Sequence, residues 1–278
     1  MVPGNSYEDV RFFLTNAPEL PIEGATLVAG PARNAASRTI SRASIHSRSA
    51  STVSGDSGVT LRDQEAEDAA GTEHPADLRE RGIHVGTRMV WDPGIQRVGR
   101  LLVGKAMDDR LGVAVLVELS RRLAERKPRF DITLALTVQE EIGMVGASSL
   151  ARDGRTYDVG FIIDNGLAGD IPTVSEEHMP VRLGGGPALV HRDSSVHYSR
   201  RLIGELRAVA EKHEIPVQDV VLYHYSSDGA HLVRQGMETL LVAPPIRYSH
   251  SPFEAVDPRD VESAVRLFEA YLTESDPE

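Results

Sequence analysis

The sequence predicts an α/β fold, with a largely parallel sheet between two layers of helices. Three observations point there. From Gly104 onward, short apolar runs of strand length alternate with segments of helical period. Candidate polar residues sit just beyond the ends of apolar strands, where loops of open α/β sheets converge. And 278 residues are enough to bury a sizeable core, as one large domain or as a domain with an insertion.

In chain order, residues 7–14 suit a short helix and 25–30 a strand. Residues 35–58, rich in Ser, Ala and Arg, have no period and read as a mobile loop; 61–71 are acidic and polar. Residues 76–81 suit a helix stopped at Gly82, and 87–91 and 100–103 suit strands, so this part reads as a small β-rich module. The pattern then tightens. Residues 111–123 carry apolar side chains at helical spacing, and 132–138 form an apolar run of buried-strand length. A short helix over 145–152, a buried strand over 159–163 and a long amphipathic helix over 198–213 follow. Strands are expected over 220–225 and 239–242, and helices over 228–235, stopped by Gly236, and 258–272.

Composition narrows the function. The net charge of -11 and pI near 5.4 argue against a nucleic-acid partner. With no cysteine, disulfides and thiolate ligands are excluded, and a metal must use His, Asp or Glu. Neither a signal-peptide pattern nor a run of the roughly 20 apolar residues that a membrane span needs is present, so a cytoplasmic protein is the expectation.

The chemistry gathers in three motifs: Asp108-Asp109-Arg110, Gln139-Glu140-Glu141-Ile142-Gly143, and Arg247-Tyr248-Ser249-His250-Ser251-Pro252. Adjacent glutamates cannot flank a sugar bond from opposite sides, but one can hold a metal while its neighbour handles protons. Carboxylate oxygens and an imidazole suit zinc, cobalt or manganese. A metal pair needs a bridging carboxylate, and Asp108 is the natural one. One ion then takes Glu141 and His250 and the other Asp164, leaving Glu140 as general base. Both glutamates reach one site only if the strand ends or twists there, because successive strand residues face opposite ways. Each piece alone has an ordinary explanation: a helix cap for Asp108, a solvated pair for the glutamates, a turn for Asp164, a loop imidazole for His250. An all-oxygen magnesium or calcium site is disfavoured by His250.

These motifs, with Asp158-Val159, the Leu183-Gly184-Gly185-Gly186-Pro187 turn, Ile215-Pro216-Val217-Gln218 and Ser227-Asp228-Gly229-Ala230 in order, resemble the glutamyl (tetrahedral, deblocking) aminopeptidases, dinuclear metallopeptidases. The resemblance covers about residues 76–272. It implies a three-layer zinc-peptidase-like α/β/α catalytic domain carrying a small β-rich inserted domain. Residues 1–24 would be a remnant of the N-terminal catalytic segment, 25–103 the insertion and 104–278 the catalytic domain. It further implies a metalloaminopeptidase that removes N-terminal residues from peptides by metal-activated water. Two divalent ions per chain (Zn or Co) and large homo-oligomers belong to that picture, with neither nucleic acid nor membrane as partner. Glu140 resembles the general base, and Asp108, Glu141, Asp164 and His250 the metal ligands; Asp228 and Arg247 are candidate substrate contacts. The chain departs from the family in lacking a His-x-Asp strand end that supplies one further ligand. The upstream histidines His46, His74 and His84 are expected to be surface or structural. The alternative is therefore a catalytically impaired relative that keeps the fold and self-association with an incomplete metal site, holding one ion or none.

Overall fold

The computed structural model describes residues 26–29, 39–40, 75–80, 82, 89–92, 94–152, 157–172, 174–175 and 177–274. The expected helix over 7–14, most of the 35–58 loop, the 61–71 stretch and His46, His74 and His84 lie outside the described residues.

The first described elements are strands β1 (Thr26–Ala29), β2 (Thr39–Ile40) and β3 (Met89–Asp92), an antiparallel sheet in the order β2-β1-β3. β2 falls inside the stretch read as loop; a strand of two residues is too short to display a period of two. Helix α1 (Pro75–Glu80) ends before Gly82, whose φ of 78° and N–H bond to the Arg79 carbonyl make the expected stop. Strands β4 (Gln96–Val98) and β5 (Leu101–Gly104) form a hairpin, and β12 (Glu254–Val256) adds to β5 antiparallel.

Among the described residues the central sheet has four strands in the order β6-β10-β8-β9: β6 (Val159–Ile163), β8 (Ala188–Arg192), β9 (Gln218–Val221) and β10 (Glu238–Ala243). It is mixed rather than largely parallel, because β10 meets β8 antiparallel while β6–β10 and β8–β9 are parallel. The sequence reading passed over β8, the strand that reverses direction. β9 also begins earlier than the expected 220–225. Two-residue strands β7 (Gly166–Leu167) and β11 (Pro245–Ile246) pair beside the ends of β6 and β10.

Residues 132–138, expected to be a buried strand, pair with no strand among the described residues, and Leu134, Leu136 and Val138 are 40–44% exposed. The cause is positional. β6, which lines a cavity of about 690 Å³ together with this run, is bonded on its other side to β10 and, among the described residues, pairs with no strand on this one. Among the described residues β6 is accordingly an edge strand, with Ile162 its one buried residue.

Helices α2 (Met107–Glu125), α4 (Arg200–Lys212) and α6 (Pro258–Thr273) pack together as one layer; α3 (Val145–Leu150) and α5 (Gly229–Arg234) form the other. Ser199 caps α4 by accepting the Leu202 N–H, and Asp257 caps α6 ahead of Pro258. Leu189, Val190, Leu240, Leu241 and Val242 of the sheet are fully buried against Val115, Leu202, Leu206 and Leu267 of the first layer. At their outer faces α2 and α6 are tied by Arg122, which donates to Glu118, Glu262 and Glu269. Among the described residues, no helix is long and apolar enough to cross a membrane.

Candidate metal centre

The chain between β5 and α2 turns sharply at Ala106 (φ 50°). Asp108 and Asp109 depart from helical dihedrals, and the peptide bond between them is cis. Arg110, the third residue of the motif, is buried. Its guanidinium donates to the Ala106 and Lys105 carbonyls at 2.7 and 2.8 Å and so closes the turn. Regular helix resumes where the Asp109 carboxylate accepts the Gly112 N–H at 2.8 Å. Gly112 is required: a Cβ there would lie 2.3 Å from Asp109 Oδ2 and 2.9 Å from the Ile163 carbonyl oxygen at the end of β6.

The glutamate pair is delivered by a turn. Gln139 takes a left-handed φ of 58°, and the Glu140 carbonyl accepts N–H bonds from Gly143 and Met144. This turn, rather than a strand end, brings the two adjacent side chains toward one site. Gly146 holds the turn against the preceding run, since a Cβ there would sit 2.5 Å from the Val138 nitrogen.

Asp108, Glu141 and His250 converge, each offering a ligand atom within 4.8 Å of the others. His250 Nε2 lies 3.1 Å from Asp108 Oδ2 and 3.1 Å from Glu141 Oε2. Hydrogen bonds that the imidazole donates to Asp108 and Glu141 push it up to about 10. Burial pushes the Asp108 carboxyl up, but hydrogen bonds from His250, Ser249 and Asn165 outweigh it and hold the group below the usual range. Asp164 stands outside this triangle, on the far side of Asn165: its Oδ1 accepts the Asn165 N–H, while Asn165 Nδ2 donates to Asp108 Oδ1 at 2.9 Å. Burial and then the charges of Asp108 and Glu140 raise Asp164 well above its ordinary value. Asp109 is raised in the same way, by burial and then by Asp164. Glu140 is pushed up to about 8 by burial and then by Glu141, Asp228 and Asp108.

Asp228 precedes α5 but does not cap it. One oxygen accepts the Thr137 hydroxyl at 2.6 Å, while the other is buried without a partner. Arg247 is engaged by a two-point ion pair with Asp170, at 2.8 and 2.6 Å. Sequence reasoning missed Glu254, Asn165 and Tyr225. Glu254, 2% exposed, accepts the backbone N–H groups of Met107 and Asp108 on one oxygen and that of His250 on the other. Tyr225 donates to the Asn165 carbonyl at 2.8 Å. An acidic residue inside the short apolar strand β12 was the available signal for Glu254.

Buried carboxylates raised by one another's charge, around two oxygen donors and an imidazole, fit a divalent cation of the zinc type. An α/β/α scaffold with such a cluster defines the class, a zinc-peptidase-like fold. Comparison with known proteins narrows it. Residues 66–267 match the M42 glutamyl aminopeptidase family. A lysyl aminopeptidase of Pyrococcus furiosus is 31% identical over 213 residues, 74% of this chain and 59% of that protein. An aminopeptidase from the archaeon Desulfurococcus kamchatkensis superposes with a TM-score of 0.70 at 33% identity, over 74% of this chain and 59% of that one. The Pyrococcus horikoshii TET1 peptidase, which can assemble into a tetrahedron or a large octahedral shell, gives 0.70 at 26% identity over 91% of this chain and 73% of its own. The chain belongs to the M42 glutamyl aminopeptidase family. It spans 50–59% of the length of the curated relatives it matches.

Proposed function

We propose that the protein is a metal-dependent aminopeptidase that releases N-terminal residues from peptides, with Glu140 as general base. The convergence of Asp108, Glu141 and His250, with Glu140 adjacent, carries this reading. These three residues would hold one divalent ion, and Asp108 with Asp164 would contribute to a second. A cation held there supplies Lewis-acid chemistry at the scissile carbonyl and makes water more acidic. Glu140 takes the proton of the attacking water and delivers it to the leaving amine; a carboxyl pushed up to about 8 is suited to carrying a proton near neutrality. Asp228 is the group we assign to the substrate amino end, a reading supported by its one oxygen that has no partner among the described residues. The assignment of Arg247 as a substrate contact is weakened by its engagement with Asp170. Assembly into a homo-oligomer is carried over from the TET1 relative.

Release of N-terminal residues from a panel of short peptides, stimulated by Zn²⁺ or Co²⁺ and abolished by chelator, tests the reading; its absence across the panel rejects it. One observation favours a second reading, in which the fold is kept but the metal site is incomplete: the described ligand cluster contains one imidazole, and Asp164 lies outside it. Two equivalents of metal per chain in purified protein support the enzyme, and fewer than one supports the second reading.

A further inference from the structure

Asp228 is held at three points by groups that take no part in the chemistry proposed above. Its Oδ2 accepts the Thr137 hydroxyl at 2.6 Å. The residue before it, Ser227, is fully buried and hydrogen-bonds to the Tyr198 hydroxyl at 3.0 Å. Tyr198 gives its own proton to the buried Asp193 carboxylate at 2.7 Å, so Ser227 is the donor to it. The residue after it, Gly229, lies against the same ring, since a Cβ there would come within 2.9 Å of the Tyr198 oxygen. The backbone on both sides of Asp228 is thereby fixed on Tyr198. The Thr137 hydrogen bond is left to set which way the carboxylate points.

Thr137 is itself fixed. The Val138 carbonyl accepts the Gly146 N–H at 2.9 Å, and a Cβ at Gly146 would lie 3.2 Å from the Thr137 Cβ. A β-branched side chain is stiff at its first torsion, so the hydroxyl stays where the backbone puts it. Three residues on, the same run reaches Glu140, which burial and then the charges of Glu141 and Asp228 raise. Thr137, Glu140 and Asp228 line one cavity. The hydrogen bond also acts on charge: burial raises the Asp228 carboxyl, and the Thr137 hydroxyl opposes it by favouring the ionised form. That form is the one that attracts an ammonium group. We propose that Thr137 is a positioning and specificity-determining residue, whose hydroxyl turns Asp228 so that Oδ1 meets a protonated amino group and the site selects ligands that carry a free amine. This rests on the assignment of Asp228 to the substrate amino end. Oδ1 is the buried oxygen that has no partner among the described residues.

The test is a binding titration that needs no turnover. Calorimetry on the full chain with Zn²⁺ present, in about 0.15 M salt, compares L-leucinol with isohexyl alcohol, the same molecule without its amino group. Wild-type protein should prefer leucinol by about tenfold or more, the worth of one hydrogen bond to a charged group. Thr137→Val and Thr137→Ala, at an exposed position, should each bring the preference to within about threefold of none, with affinity for isohexyl alcohol and circular dichroism unchanged. Thr137→Ser, which keeps the hydroxyl, should restore most of the preference, and Asp228→Asn should abolish it. The proposal is overturned if wild-type protein shows no preference, binding of neither alcohol up to ~10 mM included. It is equally overturned if Thr137→Val keeps the wild-type preference, which would place the amine elsewhere, or weakens both alcohols alike, which would make Thr137 merely structural. A chain that selects leucinol through Thr137 but releases nothing from peptides loses only the enzyme reading. A chain that releases N-terminal residues without this preference loses only the role of Thr137.

Discussion

Glu254 is the sharpest place to test how the ligand cluster is held. Its buried carboxylate is the common anchor of two ligand segments, since one oxygen takes the N–H groups of Met107 and Asp108 and the other that of His250. Glu254→Ala leaves three amide donors unpaired, a gross loss of about 3–6 kcal/mol at ~1–2 kcal/mol each. Part is returned. Burial and then the Asp108 charge push the Glu254 carboxyl up to about 7 from 4.5, so removing it relieves up to about 3 kcal/mol of unfavourable charge burial at neutral pH. The net change in folding stability is then about 0–3 kcal/mol, small enough for the variant to fold. The larger consequence falls on the metal, whose ligand loops lose their shared anchor. Losing a partner of this kind weakens metal binding by about 10–100-fold. Competition titration of Zn²⁺ against a chromophoric chelator measures this, with urea unfolding run in parallel. Glu254→Gln, which keeps one carbonyl acceptor, should fall between. A folded Glu254→Ala protein with unchanged zinc affinity would refute the anchoring argument.

Glu140→Gln should lower kcat by about 10²–10⁴-fold while zinc content stays the same, as steady-state kinetics beside metal analysis would show. Zinc uptake by metal-free protein must expel the His250 proton, because Asp108 and Glu141 push that imidazole from 6.5 up to about 10. Affinity should therefore climb by up to about tenfold per pH unit below that value, and calorimetry in buffers of different ionisation enthalpy should find a proton released. The Asp257 carboxyl is held down to about 2 by hydrogen bonds from Arg259 and Arg100. A depressed folded-state value stabilises above 3.8 and loses its effect as pH falls toward 2, so Asp257→Asn should cost about 1–2 kcal/mol at pH 7, discounted for its exposed arginine partners, with the deficit closing in acid. Leu241→Ala, at a fully buried position of β10, should cost about 2–5 kcal/mol in urea unfolding.

Helices and strands with strong periods were legible in the sequence: β6 is found at the expected residues, and α4 and α6 within two residues of their expected ends. β8 was not, because Ala188-Leu189-Val190 directly follows a glycine turn and is too brief to announce its direction. The run 132–138 has the composition of a core strand, yet it lacks the neighbour that would make it one, and composition cannot report a neighbour. At the site, the motifs pointed to Asp108, Glu141 and His250, which the structure brings together. The supporting groups were invisible for a different reason. Glu254 and Asn165 act through backbone amides and a carboxamide in segments distant along the chain, and a linear pattern holds no trace of such contacts.

Gly112 has a consequence that reaches past its own helix. The first ligand-bearing segment and the strand leading to Asp164 rest against each other because no methyl group stands between them. Their relative position is thus set by the absence of an atom, and a displacement of one must be copied by the other. At this position even the smallest side chain would pry the two segments apart without altering a single ligand.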